Sequence, residues 1–494
     1  MISKRISAAL LASLLLLPAL VSCSDNAQDT PGTSAPADTT TADTTTRETE
    51  RHEIKDSLPD NLKFDGKTFN IYVSTQAVHD TYVMGTEEKA GDIVNEAVMD
   101  RNTKVQERLD FKLEAKPHAD TWKDTAANIS TLLLAGDASF DVYLGIQYGM
   151  TSLAAQRMFT NAYDVKHLDF DQPWWMNHFM NEVALGDDYR FLLVSDFNTQ
   201  AIAYIRNLFF NKVLYEKLYG DPNELYKEVL DGKWTLDRLN TIVSGAYVDL
   251  NSDGLSDLKD QLGFIANQLN ATTDCFVYGS GVEFTTRDKD GFIQLNMISD
   301  EAVKLLEDLN KFFHQNAVNV GSGGKEAAIF MEGNSLVLGN SMLSTSTSLR
   351  DMKDDYGFLP SPKIYEDQEE YYGLVHDTAL LTGISSLAKD LDMVGAVLEA
   401  LSAESYRIVT PAWYESALKL KYARDDISSQ VIDLMRESMS TNFIFAYNGS
   451  LNGIGQVYRG LITKNSSDYV STVQSKLPAA EQKLAELVAV YKGQ

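Results

Sequence analysis

The sequence predicts an α/β protein of two lobes, and three observations carry that expectation. Strand-like and helix-like segments alternate from residue 67 onward, the pattern of a parallel sheet. About 430 residues follow a polar N-terminal stretch, more than one core ordinarily holds. The composition, 44% hydrophobic and 10% aromatic, is that of ordinary globular material.

The elements can be read in order. After the Phe64-Asp65-Gly66 turn, Lys67 to Val73 alternates and is rich in β-formers, so the first strand lies there. From Gly91 to Leu109, Ile93, Val94, Ala97, Val98, Val105 and Leu109 recur at helical spacing between charges and predict an amphipathic helix. Phe111 to Ala115 reads as the second strand. A helix from about Asp124 to Ala135 stops at Gly136, where a C-terminal cap belongs, and Phe140 to Ile146 is the third strand. Ligands of such sheets bind beyond the carboxyl ends of the strands, which makes Gln147 and Tyr148 candidates for a cleft.

The N-terminus addresses the compartment. Met1 to Arg5 is basic, and the apolar run from Ile6 to Val21 is too short to span a bilayer as a mature helix, so residues 1–23 read as a secretory signal. Its end, Leu20-Val21-Ser22-Cys23, resembles a bacterial lipobox, which implies that Cys23 is acylated and anchors the chain at the extracellular face of the cell membrane. Residues 24–60 are rich in Thr, Asp, Ser and Pro and are expected to form a disordered tether. No later apolar stretch approaches spanning length, so lipid is the expected membrane contact. With Cys23 acylated, only Cys275 remains and no intramolecular disulfide can form. A net charge of −27 argues against nucleic acid, whose binding depends on clustered Lys and Arg.

Several fragments, taken in their order, resemble family 1 of the extracellular solute-binding proteins, the sugar-type receptors of ABC importers. They are Gly91-Asp92-Ile93-Val94-Asn95-Glu96-Ala97 with Arg101-Asn102, Phe140-Asp141-Val142-Tyr143, Leu208-Phe209-Phe210-Asn211-Lys212 and Gly232-Lys233-Trp234-Thr235-Leu236-Asp237. Phe330-Met331-Glu332-Gly333 and Tyr356 to Lys363 complete the set. The resemblance covers nearly the whole mature domain. It implies a two-lobe, periplasmic-binding-protein-like fold of type II that closes by hinge motion. Lobe 1 is expected from 61–195 plus 333–384 and lobe 2 from 196–332 plus 385–494. Crossings are expected near Ser195–Thr199, Glu332–Ser335 and Leu381–Ser385. The implied function is capture of a mono- or oligosaccharide and its delivery, by a monomer, to the permease subunits of an ABC importer.

A sugar offers apolar C–H faces and a rim of hydroxyls, so its receptor needs flat rings and fixed polar groups. Trp174 and Trp175, just past a turn, and Trp413 and Tyr414, at a proline-opened helix, are the candidate platforms. Asp196, Asp377 and Arg206 are the polar candidates, the arginine because it lies inside an apolar run. Asp249 to Asp260 has calcium-loop spacing, with Asp249, Asn251, Asp253, the Leu255 carbonyl, Asp257 and Asp260 as oxygen donors and Gly254 at the turn. The last donor is Asp where an EF-hand has Glu, and a structural ion is the expected role. Catalysis is not expected: no histidine pair has zinc-helix spacing and no serine elbow is present. An extracellular glycoside hydrolase and a cell-surface adhesin on the same anchor are the alternatives, because a carboxylate pair is recognised only in space.

Overall fold

The computed structural model describes residues 51–418 and 426–493. Cys23, the signal segment and residues 24–50 of the expected tether lie outside the described residues.

Nine strands build two main sheets, numbered here in chain order: β1 Lys67–Val73, β2 Phe111–Pro117, β3 Val142–Ile146, β4 Arg206–Asn211, β5 Leu262–Ile265, β6 Val318–Asn319, β7 Ser335–Met342, β8 Tyr356–Pro360 and β9 Leu380–Ile384. The first sheet has the order β9-β3-β1-β2. Its three N-terminal strands are parallel, as the alternation with helices requires, and β9 joins antiparallel to β3. The Ile93–Leu109 helix between β1 and β2 starts where the Asp92 carboxylate accepts from the Val94 and Asn95 N–H groups. It buries Val94, Val98, Val105 and Leu109. Gly136, at φ +73°, follows the Thr125–Leu134 helix and supplies the left-handed residue its exit needs. β3 is buried along its whole length, the mark of a central parallel strand.

The second sheet has the order β8-β4-β7-β5-β6. β7 and β8 therefore stand in the second sheet, where the sequence reading placed 333–384 in the first lobe; of the strands in that stretch only β9 joins the first sheet. The Leu391–Glu404 helix, expected in lobe 2, packs on the Ile93–Leu109 helix of the first. Both differences have one cause: a strand or helix buried on every side is apolar throughout and carries no mark of which sheet it joins.

No crossing occurs near Glu332–Ser335, because Ser335 already pairs with Leu262 of β5. The outward crossing runs between the Leu193–Thr382 bridge beside β9 and the start of β4 at Arg206. The return crossing precedes β9. The two lie side by side: Ile205 bridges Val375 antiparallel, and the His376 N–H donates to the Tyr204 carbonyl at 3.0 Å. The two segments, the outward one turning through short helices at Asp196–Asn198 and Gln200–Ala203, link the two sheets and mark the hinge of the fold.

The last residues expected in the tether are part of the body. Asp56 accepts from Arg108 at 2.6 and 2.7 Å and from Arg407 at 3.1 Å, and Leu58 is buried. Arg51 pairs with Asp433 and lies 4.9 Å from the Tyr406 ring centre. Composition gave no sign of these partners, because they lie from 52 to 382 residues away in sequence.

Candidate functional site

The carboxyl ends of the first-sheet strands and the two crossings meet at the junction of the lobes. Beyond β3 the helix Gln147–Ala155 begins. Gln147 is buried, its Nε2 3.5 Å from Thr441 Oγ1, and its Oε1 has no partner among the described residues. Tyr148 is exposed and meets the ring of Trp122, from the loop after β2, edge to face at 5.5 Å. Trp122 is 49% exposed, an apolar ring left in solvent at the carboxyl edge of the sheet.

A cavity of about 240 Å³ opens at the hinge. The second lobe contributes Arg206 at the head of β4, together with Gln268, Asn270 and Asp274 from the loop and helix after β5. His376 and Asp377 come from the return crossing, and Phe445 and Arg459 from the C-terminal segment. Arg459 Nε donates to both oxygens of Asp274, at 2.8 and 3.1 Å. Burial disfavours the Asp377 carboxylate, but contact with His376 and the fields of Arg206 and Arg459 outweigh it and hold its pKa below the usual value.

His376 also links this cavity to a group of aromatic rings. Its ring lies 6.2 Å from that of Tyr204, and the Trp413 side chain hydrogen-bonds Tyr82. Burial, reinforced by Tyr204, pushes the Tyr82 hydroxyl up to about 12. The Thr410–Leu418 helix that carries Trp413 packs on both the Ile93–Leu109 helix and the Leu343–Leu349 turn after β7, so this tryptophan sits where the lobes join.

Of the residues expected from sequence, Arg206 and Asp377 line the cavity together, and Gln147 and Tyr148 stand at the strand ends. Three expectations are corrected. Trp174 is fully buried and Trp175 is 5% exposed, and their indole N–H groups donate to the two oxygens of Glu399 at 3.1 and 3.0 Å, so both rings are core. Asp196 is fully buried and paired with Arg436, so no ligand can reach it. Trp413 and Tyr414 are each 7% exposed, Trp413 against Tyr82 and Tyr414 beneath Arg51, whose guanidinium lies 5.6 Å from its ring centre, so neither ring is an open platform. Sequence reading missed Trp122, Tyr82, Tyr204, His376, Asp274 and Arg459. Tyr204 carried a usable signal, since it lies two residues before the Arg206 that was singled out.

In the Asp249–Asp260 loop the oxygens meet backbone N–H groups. Asp249 accepts from Ser252 and Gly254, Asp253 from Leu255, and Asp257 from Lys259. Asn251 accepts from Asp253, and the buried Asp260 accepts from Leu250 and Asp257. Among the described residues no group of three or more His, Cys, Asp and Glu side chains is placed to hold a metal ion. The loop is satisfied by its own hydrogen bonds, which is the geometry of an Asp/Gly turn rather than a ready cage. A chelator measurement decides for calcium: the turn geometry predicts a wild-type melting temperature that does not change on chelation, whereas a fall that Asp249→Ala with Asp253→Ala does not share would restore the ion. An unchanged wild-type value identifies a plain turn.

Two sheets joined by paired crossings, with a polar and aromatic junction beside them, define a two-lobe α/β fold. No protein-family model matches the chain, and no curated protein matches it in sequence. The structure is similar to the sugar-binding protein MalE from the phytopathogen Xanthomonas citri, at 14% identity and a TM-score of 0.58, over 87% of this chain and 100% of that one. It is similar to M. tuberculosis UspC at 12% identity and a TM-score of 0.56, over 84% and 100% of the two chains. A solute-binding protein of an ABC transporter from Thermotoga lettingae TMO, bound with alpha-D-tagatose, matches at 13% identity and a TM-score of 0.51, over 85% and 100%. At these identities the likeness establishes the fold.

Proposed function

We propose that this chain is a non-catalytic receptor that captures a carbohydrate between its lobes outside the cell membrane and delivers it to an ABC importer. The observation that carries the reading is the hinge junction, where Tyr204, His376 and Asp377 lie on paired crossings beside Arg206, with the Tyr204 ring 6.2 Å from His376 and Phe445 in the cavity wall. Aromatic faces with fixed polar groups suit sugar, and paired crossings suit closure on it.

A thermal-shift screen of residues 51–494 against mono- and oligosaccharides should raise the melting temperature for one class, because the ligand binds the folded state alone. Small-angle scattering should show the same ligand compacting the protein. Tyr204→Ala should weaken that binding by at least about 1 kcal/mol, the scale of one aromatic contact, with the ligand-free melting temperature compared alongside. Products released from the sugar would replace the receptor with a glycoside hydrolase, and binding without compaction would favour an adhesin.

Anchoring through Cys23 completes the proposal. The full chain should fractionate with membranes, and Cys23→Ala should be released into the soluble fraction. Equal retention of the variant would remove the lipid from the reading.

A further inference from the structure

The hinge cavity carries two guanidinium groups, Arg206 and Arg459, and two carboxylates, Asp274 and Asp377. They are not used alike. Arg459 is taken up by Asp274, which it grips through both oxygens, so much of the cavity's capacity to hold an anion is satisfied internally. Asp377 differs, with a side chain that is 47% exposed. Among the described residues, the ring of His376 is in contact with it, with Nδ1 3.0 Å from Oδ1. That same Nδ1 meets the Thr378 N–H at 3.1 Å, and Nε2 of the ring has no partner among the described residues. Gln268 and Asn270, whose amides both donate and accept, complete the wall.

An ionised carboxylate accepts hydrogen bonds and cannot donate them. A ligand group that satisfies it must donate, and a hydroxyl does so. A hydroxyl also meets Nε2 of His376 in either tautomer, because it can donate or accept. A ligand carboxylate or sulfate can do neither at Asp377, and like charges at a few ångströms in a partly desolvated site repel strongly. We infer that the cavity selects a neutral, hydroxyl-bearing sugar over one carrying a carboxylate or sulfate, and that Asp377 is the residue that discriminates. This rests on the receptor reading above and fixes the substrate class it takes.

The test is calorimetric titration of the wild-type protein with neutral gluco-, manno- and galacto-oligosaccharides and with oligogalacturonates and sulfated oligosaccharides. Binding is expected in the neutral set, with affinity nearly independent of added salt, since no net charge is brought together. Asp377→Asn keeps the size and removes the charge. It should weaken the neutral sugar at least about tenfold, the scale of a hydrogen bond to a charged group, with the ligand-free melting temperature unchanged. Asp377→Asn should also narrow the gap between the two sets by relieving the repulsion of an acidic sugar. Preference of the wild type for the acidic set, or an unchanged gap in Asp377→Asn, overturns the inference and leaves the receptor standing. If neither set binds, the carbohydrate receptor itself fails and the inference with it. The wild-type comparison holds even if the variant does not fold.

Discussion

Asp196→Ala should destabilise the protein by about 3–5 kcal/mol, the cost of leaving one member of a buried ion pair alone. Asp196 is completely buried, and Arg436, which reaches it from the Asp426–Glu437 helix, is nearly so. Arg436 Nε donates at 3.1 Å, NH2 donates to the second oxygen, and Thr410 Oγ1 donates at 2.8 Å. Without the carboxylate the guanidinium remains in the interior against the Pro173 carbonyl, at 2.8 Å, and the Tyr406 ring, neither of which carries the balancing charge. The midpoint of denaturant unfolding measures the loss. Asp196→Leu combined with Arg436→Met should recover much of it, because an apolar pair avoids the stranded charge. A fall in sugar affinity at unchanged stability would instead return Asp196 to the ligand.

Trp174→Ala should cost a similar amount, about 3–5 kcal/mol, as a large buried ring is deleted and a cavity left behind. The indole is also one of three donors to Glu399, with Trp175 and the Asp169 N–H. Burial raises the pKa of that carboxyl to about 7, against the opposing pull of the three donors. The sign follows directly. A folded-state pKa above the unfolded value means that the native state binds the proton more tightly, so this contribution is complete below about pH 4.5 and is lost as pH rises through about 7. Glu399→Gln should therefore flatten the pH dependence of the unfolding midpoint over that window. It should also lower the midpoint throughout, because an amide nitrogen cannot accept an indole N–H. An unaltered pH profile would remove Glu399 from the account.

Local structure was legible where one sequence window contained its own cause. β1 spans the residues its alternation marked, and the Ile93–Leu109 and Thr125–Leu134 helices begin and end within two residues of their caps. Tyr148 and Gln147 were placed by a rule about strand ends, and that rule needs only the order of elements. The failures all required a third dimension. Trp174 and Trp175 have the chemistry of a sugar platform, but Glu399, more than two hundred residues later, draws them inward. Trp122 has the same chemistry and no such partner, so it remains outside. Asp274 and Arg459 carry no motif and become a pair only when the helix after β5 meets the C-terminal segment.

The fastening of Arg51 and Asp56 has a mechanical consequence. Asp56 is held by Arg108 and Arg407 in the first lobe, while Arg51 is held by Asp433 on a helix that packs against Pro222–Leu230 and β8 of the second. Residues 51 to 56 thus clasp elements of both lobes at once. The lobe closure that the proposed receptor requires would have to be taken up within that short stretch or by release of the Arg51–Asp433 pair.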